Sequence, residues 1–353
     1  MKNKQVTLEV IADKAHVSKA LVSRVLNNRP VRVSEEKRAQ ILHIANELDY
    51  IPSGQIINIS PLPKLNKTIG LILPHLNSKF MSSISDTITK KAYENGYSAI
   101  VFDSREDSAL ELKYLELCHS LKVSGIIMDS FSNANNKKYL EKISEWKIPF
   151  LFLDCYPNDP NYSFVTSRNK DSLYKLTESL IKRGHRNILS IIQNKATLTN
   201  VSMERLSGYY DAMDEYGLHG YNEIIYPDRD YKQQPIYSLM NSSMEFTAFI
   251  IHTGTDVQHF CNLLPVTKYV EKPYFEIGVF DDFNISFLDS ISGNNQDIYQ
   301  KIVSVVSQRP EKLAARAIDT LIDNIKKGEN FIPTQVFVSC DLSFLNFKEK
   351  GEA

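Results

Sequence analysis

The sequence predicts an α/β protein: a small all-helical headpiece, then a larger two-lobed, Rossmann-like body. Three observations lead there. Residues 6–50 hold three short stretches of helical periodicity, each behind a capping residue. From Thr68 onward, short apolar runs alternate with amphipathic helical stretches, the pattern of a parallel sheet covered on both faces. The charge is also split. Residues 1–68 carry eleven Lys and Arg against six acids, a net +5, in a chain whose formal net charge is −1. A basic head on an acidic body points to an anionic partner met locally by the head.

The 353 residues are enough for two or three domains, and 42% hydrophobic with 24% charged residues is the composition of a soluble globular protein. No apolar run approaches the length of a membrane span. The opening MKNKQVTLEV has a positive start without an apolar core, so no export signal is expected. Cys118, Cys155, Cys261 and Cys340 lie far apart with no CxxC. They are expected to be buried, reduced thiols of a cytoplasmic protein rather than a disulfide framework or a zinc site.

In the head, Thr7 is placed to cap LEVIADKA, with Val6 and Ile11 forming a hydrophobic staple. The chain turns at His16-Val17. Ser18 is a second N-cap, with Val17 and Val22 as a second staple, before KALVSRVLN. That helix puts Val22, Val25 and Leu26 on one face and Lys19, Ala20, Ser23, Arg24 and Asn27 toward the other. Ser34 is a third cap, before a helix with Ile41, Ile44, Ala45 and Leu48 on its apolar face. Two helices of about eight residues joined by a very short turn are a helix-turn-helix, and the second helix of such a unit enters the major groove. Lys19 and Arg24 can read guanine edges, Ala20 and Leu21 can meet thymine methyls, and Ser18, Ser23 and Asn27 suit phosphate oxygens. A plain three-helix bundle with a solvated charged face is the bland alternative. Two cap-and-staple units and a basic local charge weigh against it.

TLEVIADKAHVSKALVSRVLNN, followed by VSEEKRAQILHIANELDYIPS, resembles the headpiece of the lactose-repressor (LacI/GalR) family. Three departures stand out: His16 replaces a turn glycine, Leu21 replaces a frequent Thr that contacts DNA, and Asp49-Tyr50-Ile51-Pro52-Ser53 replaces a glycine and asparagine version of that motif. His tolerates left-handed geometry better than most residues. The resemblance implies a short hinge helix in SGQIINISPLPKLNKT, with Ile59 in the place of a leucine that wedges into the minor groove. Gly54, Ile56-Ile57, Pro61 and Pro63 oppose an isolated helix, and a flexible linker is the alternative. A hinge helix here should need both DNA and the partner subunit. The implied DNA-binding set is Thr7, Ser18, Lys19, Ala20, Leu21, Ser23, Arg24, Asn27, Tyr50 and Ile59.

In the body, strands are expected at 69–73, 98–102, 125–128, 150–154, 163–166, 187–192, 224–226, 248–252, 274–280 and 335–339, too many for one small sheet. IGLILPHLNSKFM, LKVSGIIM, LIKRGHRNI, MERLSGYYDAMDEYGL, FEIGVFDDF and SQRPEKLAARAIDTLID resemble successive segments of the same family. The resemblance implies a periplasmic-binding-protein-like effector domain with two lobes, three crossovers and a ligand in the cleft. The expected division is a helix-turn-helix headpiece at 1–52, a hinge at 53–68, and an effector-binding and dimerisation domain at 69–353. Its N-lobe would hold about 69–162 and 307–332, its C-lobe about 163–306 and 333–353.

Ligands in such sheets bind outside the carboxyl ends of strands. By position in the family motifs, the effector-binding candidates are Phe80, Arg168, Arg205, Thr253 and Asp281. Arg205 offers a rigid fork to hydroxyl or carboxylate groups. An interlobe salt bridge is its structural alternative, a loop cap that of Asp281, and a core position that of Phe80. Arg168 or Asn169 occupies the place of a family asparagine, Thr253 or Thr255 stands near another that is missing, and His75 replaces a first-loop aspartate.

None of the thirteen glycines forms G-x-G, and neither H-E-x-x-H nor G-x-S-x-G occurs, so no dinucleotide, P-loop, zinc-protease or hydrolase signature is present. The expectation is a cytoplasmic, homodimeric transcription regulator, a repressor and not an enzyme, with no cofactor or metal. Its partners would be pseudo-palindromic double-stranded operator DNA and a small carbohydrate or sugar-phosphate effector. A solute-binding protein with the same body is the alternative, weakened by the basic head.

Overall fold

The computed structural model describes residues 7–26, 30–48, 67–129, 137–193, 199–226, 229–254, 256–272, 274–281 and 301–345. The chain divides into two compact units, Met1–Pro63 and Lys64–Ala353.

The first unit holds α1 (Leu8–Ala15), α2 (Lys19–Leu26) and α3 (Glu35–Glu47). Ile11, Ala12, Ala15, Val22, Val25, Ile41 and Ala45 form its core, with Val17, Leu26, Ile44 and Leu48 packed against it. The α1–α2 turn closes at His16, whose backbone is left-handed (φ 52°, ψ 50°) and whose N–H donates to the carbonyls of Ala12 and Asp13. This is the geometry that the glycine-to-histidine exchange has to tolerate. Ser18 Oγ accepts from Leu21 N, and Ser34 Oγ accepts from Lys37 N, each at 3.2 Å, so both are true N-caps. Thr7 is a correction: its backbone is extended, but its hydroxyl makes no cap bond. Val6, its proposed staple partner, lies outside the described residues, as do Asn27, Tyr50 and the hinge with Ile59.

The second unit contains two six-stranded sheets. The first is built from β1 (Thr68–Leu73), β2 (Ser98–Asp103), β3 (Gly125–Met128), β4 (Phe150–Leu153), β5 (Phe164–Ser167) and β11 (Gln335–Val338), in the order β11-β5-β4-β3-β1-β2, all parallel. The second is built from β6 (Ile188–Gln193), β7 (Tyr221–Ile225), β8 (Ala248–Ile251), β9 (Glu276–Phe280), β10 (Ile302–Ser307) and β12 (Asp341–Phe344). Its order is β12-β10-β9-β8-β6-β7, with β12 antiparallel. The helices are α4 (Lys79–Glu94), α5 (Ser108–Leu121), α6 (Lys137–Trp146), α7 (Asn169–Lys182), α8 (Asn200–Glu215), α9 (Pro235–Met240), α10 (Asp256–Leu263) and α11 (Pro310–Lys327). Alternation along β1 shows how helices cover both faces: Leu71 and Leu73 pack with α4 and α11, while Ile72 packs with Leu115 and Cys118 of α5.

The crossings fall later than the sequence suggests. β5 and β11 pair with each other inside the first sheet, so the lobes exchange chain just after Ser167, between Ser307 and Pro310, and between Val338 and Asp341. The expected boundaries at 163 and 333 are corrected accordingly. Two strands were not anticipated. Ser304 and Ser307 interrupt the apolar run of β10, and Ser304 is fully buried all the same. β12 is a mostly exposed edge strand of four residues, Asp341-Leu342-Ser343-Phe344, too short for its alternation to stand out. Two other expectations shift: β7 begins at Tyr221, and Cys340 is half-buried while the other three thiols are buried.

The second lobe is tied by a buried ionic knot. Glu276, opening β9, accepts from Arg183 Nε at 2.5 Å and Nη2 at 2.6 Å, and lies 3.0 Å from His185 Nε2. Burial would raise this carboxyl, but Arg183 and His185 outweigh it and hold it at about 2, against an ordinary 4.5. A carboxyl depressed by folding stabilises fully above its unfolded value and loses that contribution as pH falls through the folded one. Unfolding free energy should therefore drop between pH 4.5 and 2. Glu276→Gln should flatten the drop, as denaturant titrations across that window would show. A second prediction concerns α7 and α8, where Gly208 lets the helices meet: a Cβ there would stand 2.1 Å from the Lys170 carbonyl oxygen. Gly208→Ala should cost about 1–3 kcal/mol or more, because backbone must move to admit it. Urea unfolding reads the loss.

Candidate DNA-binding face and interlobe site

The first unit presents one exposed polar face. While Val22 and Val25 are buried, Ser18, Lys19 and Ala20 at the start of α2 and Arg24 one turn on are exposed, as is Thr7. Ser23 is half-buried. Leu21 is half-buried against the head core, so packing accounts for part of its side chain. Lys19 Nζ lies 2.7 Å from Glu9 Oε1, and this contact holds the Glu9 carboxyl below its usual range. Both side chains are more than half exposed, so the pair is weak and readily exchanged for a phosphate or a base edge.

In the second unit, parallel sheets place polar residues directly after the carboxyl ends of their strands. Asp129 follows β3, Asp154 follows β4, and Asn169 opens α7 just after β5. In the other lobe His252 follows β8, Asp281 follows β9 and Gln308 follows β10. Arg205, on α8, is the node among them. Its Nε donates to Asn169 Oδ1 and its Nη1 to the His252 carbonyl, both at 2.9 Å, and its guanidinium stacks 4.0 Å from the Phe280 ring. The lobes are bridged at the same place. Tyr156, stacked on Phe164 of the first sheet, donates its hydroxyl to Glu204 of α8, and its N–H meets Asn200 Oδ1 at 3.4 Å. Behind it, Arg309 and Asp341 ion-pair between the second and third crossovers.

The electrostatics are those of buried acids. Burial pushes the Asp154 carboxyl up, and Arg205 opposes it. Asp129 is pushed well above the usual range by burial and then by Asp154, against the N–H of Cys155, and Glu111 adds to the rise. Burial, then Arg205, depress His252 to about 3, so its ring is neutral, with Nε2 paired to Ser190 Oγ at 2.8 Å.

The sequence-derived candidates are brought together only in part. Arg205 is buried at the centre. Asp281 directly follows Phe280, the ring under Arg205, and is half-buried with φ 97°, a conformation that L-residues adopt at a cost of order 1–3 kcal/mol. Three candidates have other contacts. Phe80 is 5% exposed in the apolar core of the first lobe, so its volume is used for packing. Arg168 is exposed and pairs with Asp171 at 3.4 Å, while its neighbour Asn169 is the residue in the buried network. Thr253 Oγ1 accepts from Asp256 N at 3.3 Å, capping the start of α10. Asp129, Asp154, Glu204 and His252 were missed. The signal for the two aspartates was legible: each directly follows an apolar strand, GIIM and FLFL, as Asp281 follows EIGVF. Asn169→Ala would leave a buried guanidinium N–H unpaired and should cost about 1–3 kcal/mol of stability, measured by urea unfolding.

Comparison with known proteins follows the same two-unit division. Residues 7–53 match the family model for bacterial regulatory proteins of the lacI family. Residues 66–251 match the model for periplasmic binding proteins and the sugar-binding domain of the LacI family. The NTD biosynthesis operon regulator NtdR of Bacillus subtilis is 27% identical over 343 residues, covering 88% of this chain and 98% of the relative. Two solved structures share the fold. A complex of the transcriptional regulator CelR with cellobiose aligns with TM-score 0.64 at 20% identity, over 96% of this chain and 98% of that one. The lac repressor dimer bound to operator and the anti-inducer ONPF aligns with TM-score 0.63 at 19% identity, over 97% and 98%. A helix-turn-helix head and a paired-sheet body, each matched by its own model, place this chain in the LacI family of DNA-binding transcriptional regulators.

Proposed function

We propose that the chain is a homodimeric repressor that binds pseudo-palindromic double-stranded operator DNA and is controlled by a small polyhydroxylated effector in the interlobe cleft. It works by binding and not by catalysis. The observation that carries this reading is the division of α2: an apolar face buried in the head, and Lys19, Ala20 and Arg24 exposed along the other. Two such heads in a dimer would meet successive major grooves. The effector would contact Asp154, Arg205, His252 and Asp281, which come from both lobes, so its binding would favour one lobe arrangement over another. Only such differential contact can couple a ligand to DNA affinity, typically by 1–3 kcal/mol.

Gel-shift titration on genomic fragments tests the DNA arm. Arg24→Ala should weaken the cognate site by about 1–3 kcal/mol and relax preference at one base pair. Equal weakening on random DNA would make Arg24 a phosphate anchor instead. For the effector arm, titrating carbohydrates into the operator complex should change DNA affinity in the wild type. Arg205→Ala and Asp281→Ala should lose that response.

A further inference from the structure

Three acids in the first lobe are at least nine-tenths buried around the cleft wall: Glu111, Asp129 and Asp154. Glu204 of the second lobe faces the same place across the Tyr156 hydroxyl. Against these stands Arg205, whose Nε and Nη1 bonds go to neutral acceptors, the Asn169 amide oxygen and the His252 carbonyl. Among the buried polar atoms without a hydrogen-bond partner in the described residues are Asp154 Oδ1 in the first lobe and His252 Nδ1 in the second. Arg205 Nη1 bonds the His252 carbonyl, and Tyr156, two residues after Asp154, bonds Glu204, the residue before Arg205, so the chain brings both residues to the same arginine. Buried charges are normally paired, and an unpaired one is costly.

Resting on the reading of this cleft as the effector site, we infer that the effector is a polyol carrying an ammonium group, which the Asp154 carboxylate receives beside Asp129. A metal ion fits less well: among the described residues no three His, Cys, Asp or Glu side chains converge as a metal site. The negative charge is spread along a wall, which suits a cation on a larger hydrogen-bonding frame. An ammonium donates three hydrogen bonds and accepts none. Asp154 Oδ1 supplies an acceptor, and so does His252 Nδ1 in the tautomer whose Nε2–H donates to Ser190 Oγ, while the remaining Arg205 N–H groups supply donors for hydroxyls. A neutral sugar would leave the buried carboxyls without a cation. Burial pushes both aspartates toward protonation in the ligand-free protein, Asp154 adding to the rise at Asp129 and Arg205 opposing it at Asp154, and a bound ammonium would pull them back to the ionised form.

The test uses the full chain at pH 7 and matched saccharide probes: glucosamine with glucose and N-acetylglucosamine, and galactosamine with galactose. Thermal unfolding is followed with each. The amine of each set should raise the unfolding midpoint, and its neutral counterparts should not. Asp154→Asn should abolish the shift. In the ligand-free protein, Asp154→Asn and Asp129→Asn should each raise the midpoint by about 2–4 °C, since a carboxyl whose pKa folding raises costs stability at pH 7 whether it stays ionised or takes up a proton. A lowered midpoint in the ligand-free variants overturns the inference, as does silence from both amines. If glucose or galactose stabilises the protein and shifts operator binding while the amines do not, the ammonium is wrong and the effector-controlled repressor stands. If no probe alters operator affinity, the ammonium and the sugar-controlled cleft fall together.

Discussion

Arg205 is the residue on which the body's chemistry depends. Its guanidinium lies on Phe280, the last residue of β9, and reaches the residue after β8 and the first residue of α7. One side chain thus fixes the carboxyl ends of two central strands of the second sheet against the crossover from the first. Arginine suits this place because its planar fork satisfies several fixed acceptors and stacks on an aromatic ring. Lysine, a point charge on a flexible stem, could do neither as well. A permanent cation there also acts on its neighbours: it adds to the burial that keeps His252 neutral and opposes the burial that pushes Asp154 toward protonation.

The supports around that node divide into rigid and yielding parts. Within each lobe the sheets are sealed by apolar cores on both faces, and the second lobe adds the Glu276 knot with Arg183 and His185. Between lobes, the described residues show polar bonds, Tyr156 with Glu204 and Asn200, and Arg309 pairs with Asp341 at the crossovers. Packed apolar cores resist continuous deformation, whereas a few polar bonds at chain crossings can be remade at modest cost. The lobes are therefore the rigid bodies and the crossovers the place where relative motion is cheapest.

The fold was largely legible because its signals are local. Caps at Ser18 and Ser34, the left-handed His16 and four-residue apolar strands each follow from a few adjacent residues. What escaped depends on partners distant in sequence. β10 hides behind its serines, because Ser304 is buried only once Ser179 of α7 packs opposite it. The Arg183-Gly184-His185 segment, quoted only as a family motif, takes its meaning from Glu276, more than ninety residues on. The site was half legible for the same reason. Arg205 stands in a motif, but whether Arg168 or Asn169 turns inward is decided by helix phase at the start of α7. Residue type offered no guidance there, since arginine is the more chemically conspicuous of the two.

The buried carboxylates give the node and the crossovers a common purpose. A ligand shifts a two-state equilibrium only by binding one state better. Asp154 belongs to the first lobe and His252 to the second, and each carries a buried polar atom without a hydrogen-bond partner among the described residues. Their partner must touch both lobes at once to satisfy both, so its contacts exist fully in one lobe arrangement alone. A cation adds to this, because charge attraction grows as water is excluded between the walls. On the proposed reading, the buried carboxyls that weaken the ligand-free cleft are the source of the differential affinity that a switch requires. A cleft with every polar atom already paired would be more stable, and it would have nothing left to respond with.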